Sequence, residues 1–376
     1  MSKIINSILE ELDNSGNLRT VAQQDAEPSL VDLSSNDYLG LAADTSLRDS
    51  FLSGEAAASA PLSASASRLL ASSQKFFTSL ETTLSQAYGS PALLFNSGYH
   101  ANTGIVGALG SIKSTYIIAD KLVHASIIDG IKLSGAPFTR FRHNDYTHLG
   151  HLAAKASEEY RNILIIAESV YSMDGDKADI EALAEVKRRT PGAILYIDEA
   201  HAVGVEGDGG LGLVASSPSR NDVDIIVGTF GKALASAGAY AIVSDEMRQF
   251  LINKARSFIF STALPPFVTA WSEHVFRSMM GMDSRRMKLR VLGTKLTEIL
   301  RRYGAQSSGG HIQPLIAGSS RKAIEWSRIL RSDGFCVLPI RTPTVPPGTE
   351  RLRFSLSADI DISALDNLSE SLSHLN

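Results

Sequence analysis

Short apolar runs alternate with amphipathic segments along most of this chain of 376 residues. Tyr116-Ile117-Ile118-Ala119, Ile163-Leu164-Ile165-Ile166-Ala167, Ala193-Ile194-Leu195-Tyr196-Ile197 and Asp224-Ile225-Ile226-Val227 are short, rich in β-branched residues, and end in polar or glycine positions. Such runs predict strands buried on both faces. Between the second and third, Ile180, Leu183 and Val186 recur every third residue, predicting a helix over 179–189. Asp179 is its expected cap, because its carboxylate can accept the free N–H groups of the first turn. Thr190-Pro191-Gly192 ends it, since proline lacks the needed N–H and glycine permits the turn. Strand, helix, strand implies right-handed crossovers, so the predicted class is α/β with a mostly parallel central sheet.

The pattern changes near residue 275. Residues 285–303 are long and charged and predict an exposed helix. Ile312-Gln313-Pro314-Leu315-Ile316 predicts an edge strand, because Pro314 cannot donate to a central ladder. A capping serine and Gly334 bracket a predicted helix over 320–332, and 335–338 and 351–356 predict further strands. The expected organisation is an N-terminal segment 1–45, a large domain 46–275 and a small α+β domain 276–376. Residues 56–67, almost wholly alanine and serine, predict a loop or a short helix.

Composition narrows the function classes. Hydrophobic residues at 44% and charged ones at 20% allow a substantial buried core. Thirty-six Lys plus Arg against forty Asp plus Glu give a net charge of −4 without a basic run, which argues against a nucleic-acid partner. Cys336 is the single cysteine, so neither an intrachain disulfide nor a cysteine-based zinc site is expected, and no metal is expected elsewhere. Glu10 and Glu11 fall where a signal peptide would be apolar. No apolar run reaches the roughly eighteen residues of a membrane span. The expectation is a soluble cytoplasmic protein with no membrane partner.

Candidate chemistry gathers at the ends of the predicted strands. Gly228-Thr229-Phe230-Gly231-Lys232 places a lysine where open α/β sheets bind ligands. Such a lysine can contact phosphate, act as a Schiff-base nucleophile, or be a solvated surface charge. Asp198-Glu199-Ala200-His201 closes another strand, and a carboxylate buried there is costly without a cationic partner. Asn96-Ser97-Gly98-Tyr99-His100-Ala101-Asn102 follows the apolar Ala92-Leu93-Leu94-Phe95 and suits a helix start that exposes N–H groups to an anion. His124 follows a further strand. Each feature alone has an ordinary reading: Asp198 as a turn cap, His201 as a satisfied loop histidine, residues 96–102 as a plain helix start, His124 as a helix-start histidine. Together they offer an anion cradle, a flat imidazole, a buried carboxylate and a lysine, which are the parts pyridoxal 5′-phosphate requires.

On these residues the chain resembles the α-oxoamine synthases, fold-type-I pyridoxal phosphate enzymes that condense an amino acid with an acyl thioester. The resemblance runs nearly end to end, through Ser35-Asn36-Asp37-Tyr38-Leu39-Gly40-Leu41, Ala92-Leu93-Leu94-Phe95, His124-Ala125-Ser126-Ile127-Ile128-Asp129-Gly130 and Arg142-His143-Asn144-Asp145. It continues through Ser172-Met173-Asp174-Gly175-Asp176, Ser261-Thr262-Ala263-Leu264-Pro265-Pro266 and Pro343-Thr344-Val345-Pro346-Pro347-Gly348. Thr229-Phe230-Gly231-Lys232, Asp145-Tyr146-Thr147-His148-Leu149 and the segment 312–316 are most similar to the branch that joins L-alanine to a pimeloyl thioester. The thioester there is carried by an acyl carrier protein or by coenzyme A. Sister branches use glycine or serine, and a non-catalytic binding protein of the same fold is a further reading, against which Lys232 speaks.

The resemblance implies a role for each matching residue. Lys232 would carry the cofactor as a Schiff base and shuttle the α-proton; Asp198 would pair with the pyridinium nitrogen; His124 would stack on the ring; His201 would reach the ring hydroxyl. Gly98, Tyr99, Ser172 and Thr229 would be further cofactor contacts. Arg353 would clamp the amino acid carboxylate, and Arg19 and Thr344 would contact substrate, with His124 also beside it. Alternation along the predicted strand puts Arg351 on the same face as Arg353, so the residues alone do not choose between them. A homodimer with the active site at the subunit interface is also implied. Two departures stand out: Ser63-Ala64-Ser65-Ala66-Ser67-Arg68 replaces a Gly/Ser-rich turn, and Phe77 stands where histidine is common.

Overall fold

The computed structural model describes residues 1–21, 30–306 and 309–375. In chain order its strands are β1 (Val31–Asp32), β2 (Ala92–Phe95), β3 (Thr115–Asp120), β4 (Phe138–Phe141), β5 (Asn162–Glu168), β6 (Ala193–Asp198), β7 (Ile225–Thr229) and β8 (Ala239–Ile242). They are followed by β9 (Ile312–Ile316), β10 (Phe335–Cys336), β11 (Leu338–Ile340) and β12 (Arg351–Ser355). Two compact units emerge. One comprises Leu39–Tyr171 and Lys177–Arg286; the other comprises Met1–Tyr38, Ser172–Asp176 and Met287–Asn376.

The first unit is built on a seven-stranded sheet of order β2-β8-β7-β6-β5-β3-β4. Only β8 runs against its neighbours, so the sheet is mostly parallel, as the strand–helix alternation predicted. The predicted strands each gain a residue or two, and the added residues matter: Glu168, Asp198 and Thr229 are the last residues of β5, β6 and β7. The helix Gly98–Gly110 packs on β2, β3, β7 and β8 and, more closely, on the helix Ala125–Ser134. Gly130 permits that approach: a Cβ there would lie 2.9 Å from Val106 Cβ and 3.0 Å from the carbonyl oxygen of Asn102. The core between these helices and the sheet is aliphatic, with Ile105, Ile117, Ile127, Leu164 and Ile225 fully buried. The helix Ile180–Arg189 is capped by Asp179, which accepts the N–H of Ala182 at 3.0 Å.

The helix Pro266–Met279 belongs to this unit, so the chain stays in it to Arg286, beyond the boundary expected near 275. The reason is lateral packing: that helix lies on the helix Gln74–Tyr88, and Phe51 meets Phe267 and Trp271 edge-on. Residues 56–67 contain one short helix, Glu55–Ser59, followed by irregular chain.

The second unit holds an antiparallel sheet of order β11-β12-β9, which makes β9 an edge strand and gives Pro314 an open side. The predicted strand over 335–338 is two strands, because β10 pairs with β1 while β11 pairs with β12. That pairing draws residues before 39 onto the C-terminal part of the chain. Ser355 N–H donates to Leu33 carbonyl, and Ala358 N–H to Tyr38 carbonyl, both at 2.8 Å. The expected N-terminal segment 1–45 is therefore divided between the two units. The helix Asp283–Arg301 is amphipathic rather than exposed: Leu292, Leu296 and Leu300 are fully buried. Among the described residues no helix is long and apolar enough to cross a membrane.

Candidate active site

Because β2, β3, β6 and β7 run in one direction, the residues that follow them emerge along one edge of the large sheet. After β2, the helix Gly98–Gly110 begins on Ser97, whose hydroxyl accepts the N–H of His100 at 3.2 Å. The N–H groups of Gly98 and Tyr99 donate to no group among the described residues, so the positive end of the helix is open to an anion. Gly98 faces the last residue of β7, since a Cβ on it would stand 3.9 Å from Thr229 Cβ. Thr229 is buried; its hydroxyl donates to Gly238 carbonyl at 3.1 Å and accepts Gly231 N–H at 3.2 Å. Tyr99 is about half exposed and donates its hydroxyl to Asp129 Oδ2 at 2.5 Å, a bond that raises its pKa.

Beyond β7, Lys232 Nζ lies 2.6 Å from Nε2 of buried His201, in the turn after β6. Asp198 ends β6 and is 5% exposed. Its Oδ1 accepts Ala200 N–H at 2.9 Å and its Oδ2 accepts the Asn102 amide at 2.7 Å. It has no ion pair among the described residues, although an isolated buried carboxylate is costly. After β3, His124 caps the helix Ala125–Ser134, its Nδ1 accepting Ser126 N–H. Its own N–H donates to Glu168 Oε1 at the end of β5. Burial lowers the His124 pKa and nearby Lys232 adds to that, against the raising influence of Asp198. Glu168 sits opposite Asp198 across β5 and β6. Burial, and then that neighbouring carboxylate, push its pKa well above the ordinary range.

The remaining predicted residues lie in the second unit. Ser172 belongs to the segment Ser172–Asp176, and its carbonyl accepts Arg353 Nε at 2.5 Å. Arg353 is 7% exposed; its Nη2 donates to Asn36 Oδ1 at 3.0 Å and to Tyr38 hydroxyl at 3.4 Å. Among the described residues its Nη1 makes no hydrogen bond and no carboxylate pairs with it. Arg351 is different, because Asp174 neutralises it in an ion pair. Arg19 and Thr344 are exposed and meet each other, Nη2 donating to the threonine hydroxyl at 3.1 Å.

Two groups the sequence reading did not single out complete the first unit's cluster, Asn102 and Ser126. Both are buried polar residues in helices, and Asn102 stood in a motif already noted for its helix start. Neither Ser67–Arg68 nor Phe77 enters this cluster. Phe77 is 1% exposed and carries the Arg68 guanidinium 4.6 Å above its ring, a packing role.

Residues 28–372 match the family model of the class I and II aminotransferases. The chain is 45% identical over 355 residues to a putative 8-amino-7-oxononanoate synthase of Pasteurella multocida, covering 94% of this chain and 92% of that one. It is 45% identical over 352 residues to 8-amino-7-oxononanoate synthase of Chlorobaculum parvum, with 92% and 89% covered. Among solved structures, serine palmitoyltransferase of S. paucimobilis with a bound PLP–myriocin aldimine matches with a TM-score of 0.89 at 26% identity, covering 99% and 97%. The 8-amino-7-oxononanoate synthase of Francisella tularensis matches with a TM-score of 0.77 at 26% identity, covering 93% and 99%.

Proposed function

Because the chain belongs to the class I and II aminotransferase family, as an α-oxoamine synthase within it, we infer that it condenses L-alanine with a pimeloyl thioester. The products are 8-amino-7-oxononanoate, carbon dioxide and a free thiol, and the reaction is a step of biotin biosynthesis. The fold is that of the fold-type-I pyridoxal phosphate transferases, and the cofactor is pyridoxal 5′-phosphate. Bound, it supplies an electron sink for the pair left when the amino acid loses its α-proton.

The residues fit that group. Asp198 carries the reading: it is a buried carboxylate without an ion pair among the described residues, and a protonated ring nitrogen would supply one. Lys232 Nζ would hold the aldehyde carbon and, once released, take and return the α-proton. His201 would hold the ring hydroxyl, and His124 would cover the ring face. The open N–H groups of Gly98 and Tyr99 would hold the phosphate end, and Thr229 and Ser172 would be further cofactor contacts. Arg353 would clamp the alanine carboxylate through its planar fork, with Arg19 and Thr344 contacting substrate. The acyl donor is carried by an acyl carrier protein or by coenzyme A, and the chain works in the cytoplasm as a homodimer with shared active sites. Residues 46–275 would bind the cofactor.

A serine-using sister reaction is the second reading, favoured by the higher TM-score of the palmitoyltransferase. Sequence identity speaks for alanine, since relatives at 45–48% carry the oxononanoate synthase name. Incubating the holoenzyme with alanine, glycine or serine and a panel of acyl thioesters, followed by mass spectrometry, decides the matter. The alanine–pimeloyl product is expected; a serine-derived or glycine-derived product would replace this reading.

A further inference from the structure

We propose that Asn102 is a positioning residue whose carboxamide, acting through Ser126, holds His124 as the tautomer with its proton on Nε2 and ties that ring to Asp198. Asn102 is 1% exposed, and every bond it makes is internal. Its Oδ1 accepts the hydroxyl of fully buried Tyr196 at 2.5 Å. Its two Nδ2 protons go to Asp198 Oδ2 at 2.7 Å and to Ser126 Oγ at 2.9 Å. The reversed amide is excluded, because it would set the carbonyl oxygen against the Asp198 carboxylate.

The Ser126 hydroxyl oxygen accepts from Asn102 and lies 2.7 Å from His124 Nδ1, placed to give that nitrogen its own proton. Ser126 N–H points at the same nitrogen from 3.3 Å. Two donors aimed at one ring nitrogen leave it bare, so the proton resides on Nε2. Gly130 makes the reach possible, because only a residue without a side chain lets the Ser126 helix approach the Asn102 helix so closely. The same arrangement favours the neutral ring, with Asp198, Glu168, Lys232 and Asp129 as the charged or titratable groups around it. One amide thus sets two groups: it fills one oxygen of the carboxylate and selects the face of the imidazole that donates. The catalytic consequence rests on the function proposed above, but the tautomer does not.

The test uses the full-length chain labelled with [15N]histidine, before and after pyridoxal phosphate is added. Long-range 1H–15N spectra report the tautomer directly, and His124→Gln identifies the His124 signals among those of the nine histidines. A single Nε2–H tautomer is expected in the unaltered chain. Asn102→Ala and Ser126→Ala should each convert it to a mixture and move the His124 midpoint upward, because donors to a bare nitrogen favour the neutral ring. Ser126→Thr keeps the hydroxyl and should restore both signals; a purely structural role for Asn102 would move neither. An Nδ1–H tautomer in the unaltered chain overturns the inference, as does an Asn102→Ala chain whose tautomer is unchanged. Should Asn102→Ala fail to fold, the unaltered chain and Ser126→Ala decide it by the same criteria. Because the cofactor-free spectra need no substrate, failure here is separable from failure of the product assay.

Discussion

Arg353→Lys keeps a buried positive charge and removes only the fork. In the folded chain the Arg353 guanidinium spends Nε on Ser172 carbonyl and Nη2 on Asn36 and Tyr38, and among the described residues Nη1 is uncommitted. A single lysine nitrogen cannot hold these protein acceptors and also reach a carboxylate as Nη1 can. Losing one charge-assisted hydrogen bond costs about 1.5–3 kcal/mol, which is about 10- to 100-fold in the dissociation constant of L-alanine. The measurement is a titration of holoenzyme with L-alanine, following the visible cofactor band; cofactor affinity itself should not move. Arg351→Lys is the control. Arg351 is already neutralised by Asp174, so its replacement should lower stability and leave alanine affinity within about 2-fold. If Arg351→Lys weakened alanine binding and Arg353→Lys did not, the clamp would be the other arginine and the reasoning from counter-ions would be wrong.

Three further outcomes follow from the same structure. Lys232→Ala should bind cofactor without a borohydride-fixable bond and lose turnover; peptide mapping that found the label on another lysine would refute the assignment. Asp198→Asn keeps the shape and removes the charge, so loss of the α-proton, read by deuterium exchange of alanine, should slow by about 100-fold or more; exchange at the normal rate would leave Asp198 a turn cap. Burial raises the Glu199 pKa from 4.5 to about 7, while the N–H groups of Leu213 and Val214 oppose the rise. Its folded-state value lies above its unfolded one, so its contribution to stability is whole below about pH 4.5 and is lost as pH rises through about 7. Between pH 5 and pH 8.5 the native chain should therefore lose about 2–3 kcal/mol of unfolding free energy relative to Glu199→Gln in urea titrations. Parallel profiles for the two chains would show that Glu199 does not titrate there.

Much of this protein can be read locally. Strands β3, β5, β6 and β7 announce themselves because a strand covered on both faces has no polar alternation to confuse it, and every residue of β7 is buried. The cap at Asp179 and the edge position of Pro314 are equally local, fixed by which backbone groups a residue can accept from or donate to. Lys232, Asp198, His124 and the Gly98 helix start were visible for the same reason, as chemistry placed just past strand ends.

What the chain could not disclose one segment at a time depends on partners far away in sequence. The pairing of β1 with β10, and of Leu33 and Tyr38 with residues beyond 350, moves the first thirty-eight residues into the second unit. No periodicity encodes a partner three hundred residues off, so the expected segment boundaries missed it. Arg351 and Arg353 share a strand face, and only packing gives Asp174 to one and leaves the other without a counter-ion among the described residues. Asn102 reads in sequence as one more polar residue of a helix; its meaning arises where Tyr196, Asp198 and Ser126 converge on its amide. Local patterns report which faces are covered, whereas the cost of a buried charge or amide is settled by whichever distant group folds against it.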